Sequence, residues 1–80
     1  MRKTVWTRES MLLAEVLSEA RKEAGLHQTD VAARIGSDQS IISNIERGQR
    51  RIDVVEFRDF ALAIGCDPAA LFSRVLQRWG

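Results

Sequence analysis

One cysteine, Cys66, leaves this chain without an internal disulfide, and one histidine, His27, leaves it without a His/Cys zinc cluster of the usual spacing. No metal and no cofactor are expected. No apolar run approaches the length of a membrane span, and the N-terminus lacks a signal peptide's apolar stretch. The expectation is a cytoplasmic protein with no membrane partner. Strand-like alternation, internal repeats, low-complexity tracts and linkers are all missing. There is also no Ser-His-Asp set, no glycine-rich phosphate loop and no nucleophile beside His27 at motif spacing, so an enzyme is not expected. Even charge of one sign is lacking. Twelve Lys and Arg oppose 11 Asp and Glu for a net charge of +1, so the total does not announce a nucleic-acid partner. Distribution says more: Arg47, Arg50 and Arg51 cluster in one stretch, Arg2, Lys3 and Arg8 crowd the N-terminus, and Glu15, Glu19 and Glu23 lie elsewhere. Basic groups set apart in this way are compatible with one cationic face.

What is present reads as helix. The 80 residues support one small domain over 1–80, and 45% apolar content is ample for a folded chain. Thr7 can cap a first helix that runs to about Ala24 with Leu13, Leu17, Ala20 and Ala24 inward, and Val16 beside them. Glu19 and Glu23, among Arg21 and Lys22, read as its solvated side. Asp53-Val54-Val55-Glu56 is a capping box opening a fourth helix, whose stripe is Val54 or Val55, Phe57, Phe60, Ala61 and Ile64. Gly65 ends it, and Cys66 reads as a small core residue after it. Asp67-Pro68 starts a fifth helix, about 67–78, carrying Leu71, Phe72, Val75, Leu76 and Trp79. The fold class is all-α, with five helices.

Between these lies the stretch from Gln28 to Glu46. Val31, Ala32 and Ile35 share one face of a short helix, Gly36 ends it, and Ile42 and Ile45 share a face of the next. Asp38 can cap that second helix through its side-chain oxygen. Its first turn exposes Gln39, Ser40 and Ile41, with Asn44 one turn on. Uncharged amides and hydroxyls on the open face of a capped helix suit hydrogen bonding to base edges in a major groove. The pattern is a helix-turn-helix, and double-stranded DNA is the partner it points to.

The run Arg21-x-x-x-Gly25-Leu26-x-Gln28, Val31-Ala32-x-x-x-Gly36 and Gln39-Ser40-x-Ile42-Ser43-x-Ile45-Glu46-x-Gly48-x-Arg50-Arg51 resembles the lambda repressor and Cro family, also called the xenobiotic-response-element family of bacterial regulators. The resemblance spans roughly Leu17 to Leu71. It implies a five-helix lambda-repressor-like domain, a phosphate contact for Gln28, and base readout by Gln39, Ser40 and Asn44. It also implies that Arg21 and Glu46 pair as a structural clamp between the first and recognition helices. Two departures stand out: His27 sits where the family has a capping Ser or Thr, and the turn reads Ser37-Asp38.

Other candidates rest on their own chemistry. Gln and Asn can pair with adenine N6 and N7. Ile41 can meet a thymine methyl or pack against the helix of Val31, and Ser43 can bond a phosphate or its own backbone. Arg47, Arg50 and Arg51 are phosphate candidates, because guanidinium groups fork onto phosphate oxygens. Trp6 and Trp79, near the two ends, are lids on the core or interface anchors. Phe72, Leu76 and Trp79 are assigned to a dimer interface, with Val5 and Trp6 as the alternative cover for Trp79.

The expectation is a sequence-specific regulator, a repressor binding a palindromic operator as a homodimer with half-sites ~34 Å apart. With no second domain, no small-molecule effector is evident. The rival expectation is an antitoxin that binds a partner toxin and autoregulates its operon; the lack of a long disordered tail counts against it.

Overall fold

In the computed structural model, which describes residues 7–80, the local signals resolve into α1 (Arg8–Glu23), α2 (Gln28–Ile35), α3 (Gln39–Glu46), α4 (Val54–Ala63) and α5 (Pro68–Trp79). No strand occurs among the described residues. Arg2, Lys3, Val5 and Trp6 lie outside them.

Most helix starts follow the side-chain chemistry at the boundary. Thr7 Oγ1 accepts from the Ser10 amide at 3.0 Å, and Asp67 Oδ2 from the Ala70 amide at 3.0 Å ahead of Pro68. The expected box at Asp53 closes in both directions: the Glu56 amide donates to Asp53 at 2.7 Å, and the Asp53 amide to Glu56 at 3.0 Å. Asp30 does the same half-service for α2, its carboxylate accepting from the His27 amide at 2.8 Å. Asp38 departs from expectation. It occupies the position preceding α3 in extended conformation, but its side chain makes no capping bond. Its carboxylate contributes there through charge at the helix N-terminus alone.

The five helices close over Phe60, Leu17, Ile42, Leu71, Val16, Val31 and Val75, the largest fully buried side chains. Two expected stripes shift. On α1, Ala14 is buried and Ala24 is exposed, because Ala24 already lies past the last helical residue. On α4, Val54 and Val55 are 85% and 57% exposed. They belong to the first turn, which projects beyond the core, so the inward stripe starts at Phe57. Cys66 is half-buried and packs against the core edge, as its position implied.

The side of α1 that reads as merely solvated is in fact bridged. Arg74 on α5 reaches Glu23 at 3.0 Å, and Arg78 reaches Glu19 at 2.7 Å and Glu15 at 3.5 Å. Two arginines thus ladder across three glutamates, over the seam where Leu71 and Val75 are buried. The far end of α5 is held as well: Trp79 Nε1 donates to the Glu9 carbonyl at 2.9 Å, and Arg8 donates to the Trp79 carbonyl at 3.1 Å. Phe72 packs edge-on between Phe57 and Trp79, with ring centroids 5.8 and 5.9 Å away. Trp79 is therefore half-buried against its own chain, while Phe72 and Leu76 stay 42% and 50% exposed.

The ladder has a pH signature. The hydrogen bond from Arg78 holds the Glu19 carboxyl below its ordinary value of 4.5. A carboxyl depressed on folding stabilises the native state above the ordinary value, and that contribution is lost as pH falls through the depressed one. Thermal unfolding followed from pH 7 to pH 3 should show stability falling below about pH 4.5. Arg78→Ala should make that fall shallower, since Glu19 loses the leading cause of its depression while Arg74 remains 4.0 Å away; an unchanged slope would remove the Arg78 contacts from the stability of the fold.

Candidate nucleic-acid interface

The helix-turn-helix is set by two apolar contacts and one ionic one. Val31 and Ala32 on α2 and Ile42 and Ile45 on α3 are all buried, and the small Ala32 lets the helices approach. Gly36 turns the chain at φ 69°, where a Cβ would be strained, and the Ser37 amide returns to the Ala32 carbonyl at 2.8 Å.

Behind this apolar contact, Arg21 of α1 grips Glu46 of α3 with two bonds, Nε to Oε2 at 2.7 Å and Nη2 to Oε1 at 2.9 Å. The two side chains are only 8% and 3% exposed. Arg21 Nη1 also donates to the Leu26 carbonyl at 2.7 Å, so the guanidinium is held on three sides. The Glu46 hydrogen bond raises the Arg21 pKa further above its already high ordinary value, so the guanidinium stays charged. Arg21 and Glu46 stand in the contact assigned to them.

The clamp extends to the surface through two amides. Gln28 Nε2 donates to Glu46 Oε1 at 3.1 Å, and Gln39 Nε2 donates to Gln28 Oε1 at 2.6 Å. A carboxylate can only accept, so Gln28 must turn its nitrogen inward and its oxygen outward. That oxygen takes the Gln39 nitrogen, which leaves the Gln39 carbonyl oxygen facing away from the clamp. The start of α2 and the start of α3 are joined this way, and the order Arg21, Glu46, Gln28, Gln39 runs from core to surface.

On the outer face of α3, Gln39 and Ser40 are exposed, and Ser43 and Asn44 are half-buried. Ile41 is also half-buried and packs against the core, beside Ile35 and Phe60, which meets the packing alternative. Arg47 follows α3 and donates from Nη2 to Asn44 Oδ1 at 2.6 Å. The loop then bends at Gly48, φ 73°, where an added Cβ would reach the Met11 sulfur.

Arg50 takes a different place from its neighbours. Its guanidinium forks onto Glu56 at 3.1 and 2.8 Å and also bonds the Arg51 carbonyl at 3.0 Å. The same pairing, with help from the Asp53 backbone, lowers the Glu56 carboxyl. Arg50 thus staples the loop to the first turn of α4. Arg34 went unnoticed in the sequence: it donates to the Ala63 carbonyl at 2.6 Å and ties α2 to the end of α4. A pair separated by 29 residues leaves no local pattern from which to find it.

A short exposed helix, its polar face carried on a buried ion pair, defines a helix-turn-helix module. The helix-turn-helix family model matches residues 17–71, and the chain belongs to that family, that of HTH-type transcriptional regulators. One relative, the uncharacterised HTH-type transcriptional regulator y4dJ of Sinorhizobium fredii, is 37% identical over 54 residues, which cover 68% of this chain and 70% of the relative. Among solved structures, an XRE-family-like protein from Pseudomonas syringae pv. tomato superposes with a TM-score of 0.80 at 45% identity, over 86% of this chain and 84% of the other. The controller protein C.Esp1396I, in a structure bound to a 19-base-pair DNA duplex, shares the fold at TM-score 0.84 and 20% identity, over 92% of this chain and 99% of that one.

Removing one partner of a buried ion pair leaves the other uncompensated. Glu46→Ala should destabilise the domain by about 3–5 kcal/mol in urea unfolding. Adding Arg21→Met should recover much of the loss. Additive losses from the two changes would show that the pair does not act as a unit.

Proposed function

We propose that this protein is a sequence-specific DNA-binding repressor of the bacterial cytoplasm, occupying a palindromic operator as a homodimer. The observation that carries this is the relay from the buried Arg21–Glu46 pair through Gln28 to Gln39. It holds a reading amide in a fixed direction on an otherwise open helix face, and pre-ordering of this kind raises affinity for a complementary edge.

In this reading α3 enters the major groove, with Gln39, Ser40 and Asn44 at base edges. Ile41, half-buried beside them, can still offer its outer carbon to a thymine methyl. Gln28, Ser43 and Arg51 face the phosphate backbone, and Arg47 stands at the end of α3 beside Asn44. Arg50, engaged by Glu56, serves chiefly to hold the loop that presents Arg47 and Arg51, with a phosphate contact as its secondary task. The controller protein C.Esp1396I supports the general arrangement, being solved on a duplex and as a tetramer on its natural 35-base-pair operator.

One recognition helix touches few base pairs, so two copies are needed for operator affinity. Phe72, exposed on α5, lines an apolar cleft of about 330 Å³ with Val54, Phe57, Pro68 and Ala69 among others, and Leu76 is exposed one turn further along the same helix. We assign this face to the two-fold contact. Trp79 serves it from behind, holding the Phe72 ring edge-on.

Two measurements test the reading. Gln39→Ala should lower affinity for the selected operator by about 1–3 kcal/mol while binding to random DNA barely changes; an unchanged preferred sequence would remove Gln39 from base readout. In sedimentation, Leu76→Glu should shift the protein from dimer to monomer and weaken operator binding. Full-affinity binding of a monomer to a lone half-site would end the dimer assignment.

A further inference from the structure

We infer that Asn44 and Arg47 form a joint, donor-only reader that selects guanine in each half-site, an inference that rests on the DNA-binding reading above. Arg47 lies one turn beyond Asn44 and donates from Nη2 to Asn44 Oδ1 at 2.6 Å. A guanidinium carries five N–H groups and no acceptor. The Asn44 amide must therefore turn its oxygen to Arg47 and its nitrogen away. The backbone beneath is pinned too, because the Asn44 carbonyl accepts from the Gln49 amide at 2.8 Å and the Arg50 amide at 3.2 Å.

Asparagine alone is ambivalent, since with oxygen and nitrogen both outward it matches adenine N6 and N7. Tied to Arg47, the side chain offers Nδ2 hydrogens, flanked by the remaining guanidinium hydrogens. Guanine is the base whose major-groove edge accepts twice, at O6 and N7. Adenine sets an amino donor beside its N7, cytosine presents a donor, and thymine pairs one acceptor with a methyl group. A second lone pair on Oδ1 remains, but an adenine amino group reaching it would press against the guanidinium N–H that shares the same oxygen.

Charge points the same way. Arg50 is neutralised by Glu56, whereas the contact of Arg47 is an uncharged amide. The positive charge of Arg47 is thus not offset by its partner, and among the base edges the two acceptors of guanine suit it best. The two amides on the face of α3 consequently have opposite polarity. Gln39, oriented through Gln28 by the acceptor-only carboxylate of Glu46, shows its oxygen; Asn44, oriented by a donor-only guanidinium, shows its nitrogen.

The test is selection of bound duplexes from random DNA, with the wild type, Arg47→Ala and Asn44→Asp, each checked for an unchanged helical spectrum and melting profile. The position that Asn44 reads is the one whose preference Asn44→Asp moves. The wild type should enrich guanine there by about tenfold over adenine. Asn44→Asp makes the reader an acceptor, and should move the preference to a base with an amino group. Arg47→Ala frees the amide oxygen and should collapse the guanine-to-adenine ratio at that position alone, alongside any general loss of affinity. Adenine enrichment by the wild type would overturn the inference. So would an Arg47→Ala variant that binds every sequence more weakly with the same base profile, which would make Arg47 a phosphate contact only. Those outcomes leave the DNA-binding reading standing; failure of the wild type to enrich any sequence would overturn both.

Discussion

The buried pair of Arg21 and Glu46 is the constraint on which the interface depends. Two charges so far removed from water are tolerable only if their polar atoms find partners, and here each nitrogen and oxygen does: the guanidinium bonds Glu46 twice and the Leu26 carbonyl once, and the carboxylate also accepts from Gln28. Such a pair is weak as a source of stability compared with packed apolar groups. Its value is directional. A carboxylate at the end of α3 and a guanidinium on α1 meet in one geometry, so the recognition helix cannot slide or rotate on the core without stranding a charge. The apolar contacts of Ile42 and Ile45 alone would tolerate such a shift more readily, because dispersion has little directional preference.

From that anchor the polar surface is built outward in layers. Gln28 inherits its orientation from Glu46, and Gln39 inherits its own from Gln28. The loop after α3 is organised separately, by Arg50 on Glu56 and by the backbone bonds into the Asn44 carbonyl. Helix α3 is thereby supported at its start by the Gln28–Gln39 amides and at its end by the Arg21–Glu46 pair and the loop that Arg50 staples. This division separates the residues that fix position from those that offer a choice of partner, and it lets the outer side chains change without loss of the fold.

How far the sequence was legible follows from the range of each signal. Caps, terminating glycines and the inward stripes of α2 and α3 are set by residues within a few positions of one another, and they read correctly from Thr7, Asp53, Asp67, Gly36 and Ile42. The Arg21–Glu46 contact was reached only through a family resemblance, since nothing local joins residues on two separate helices. What remained hidden was long-range or terminal. Glu19 and Glu23 look like solvated charges until α5 delivers Arg78 and Arg74. Arg50 looks like a spare cation until the fold brings Glu56 beside it. Val54 and Val55 read as core because periodicity counts spacing and does not see where a helix leaves the globule.

The contact between Trp79 and Glu9 joins positions 70 residues apart. In kinetic terms this is a long and costly loop to close, whereas the α2–α3 hairpin is joined across a three-residue turn. On loop-closure cost alone, the hairpin is the easier contact to form early and the seam between α1 and α5 the harder. Phe72 and Leu76 stand on that same α5 helix, so any contact made through them is coupled to closure of the seam between α1 and α5.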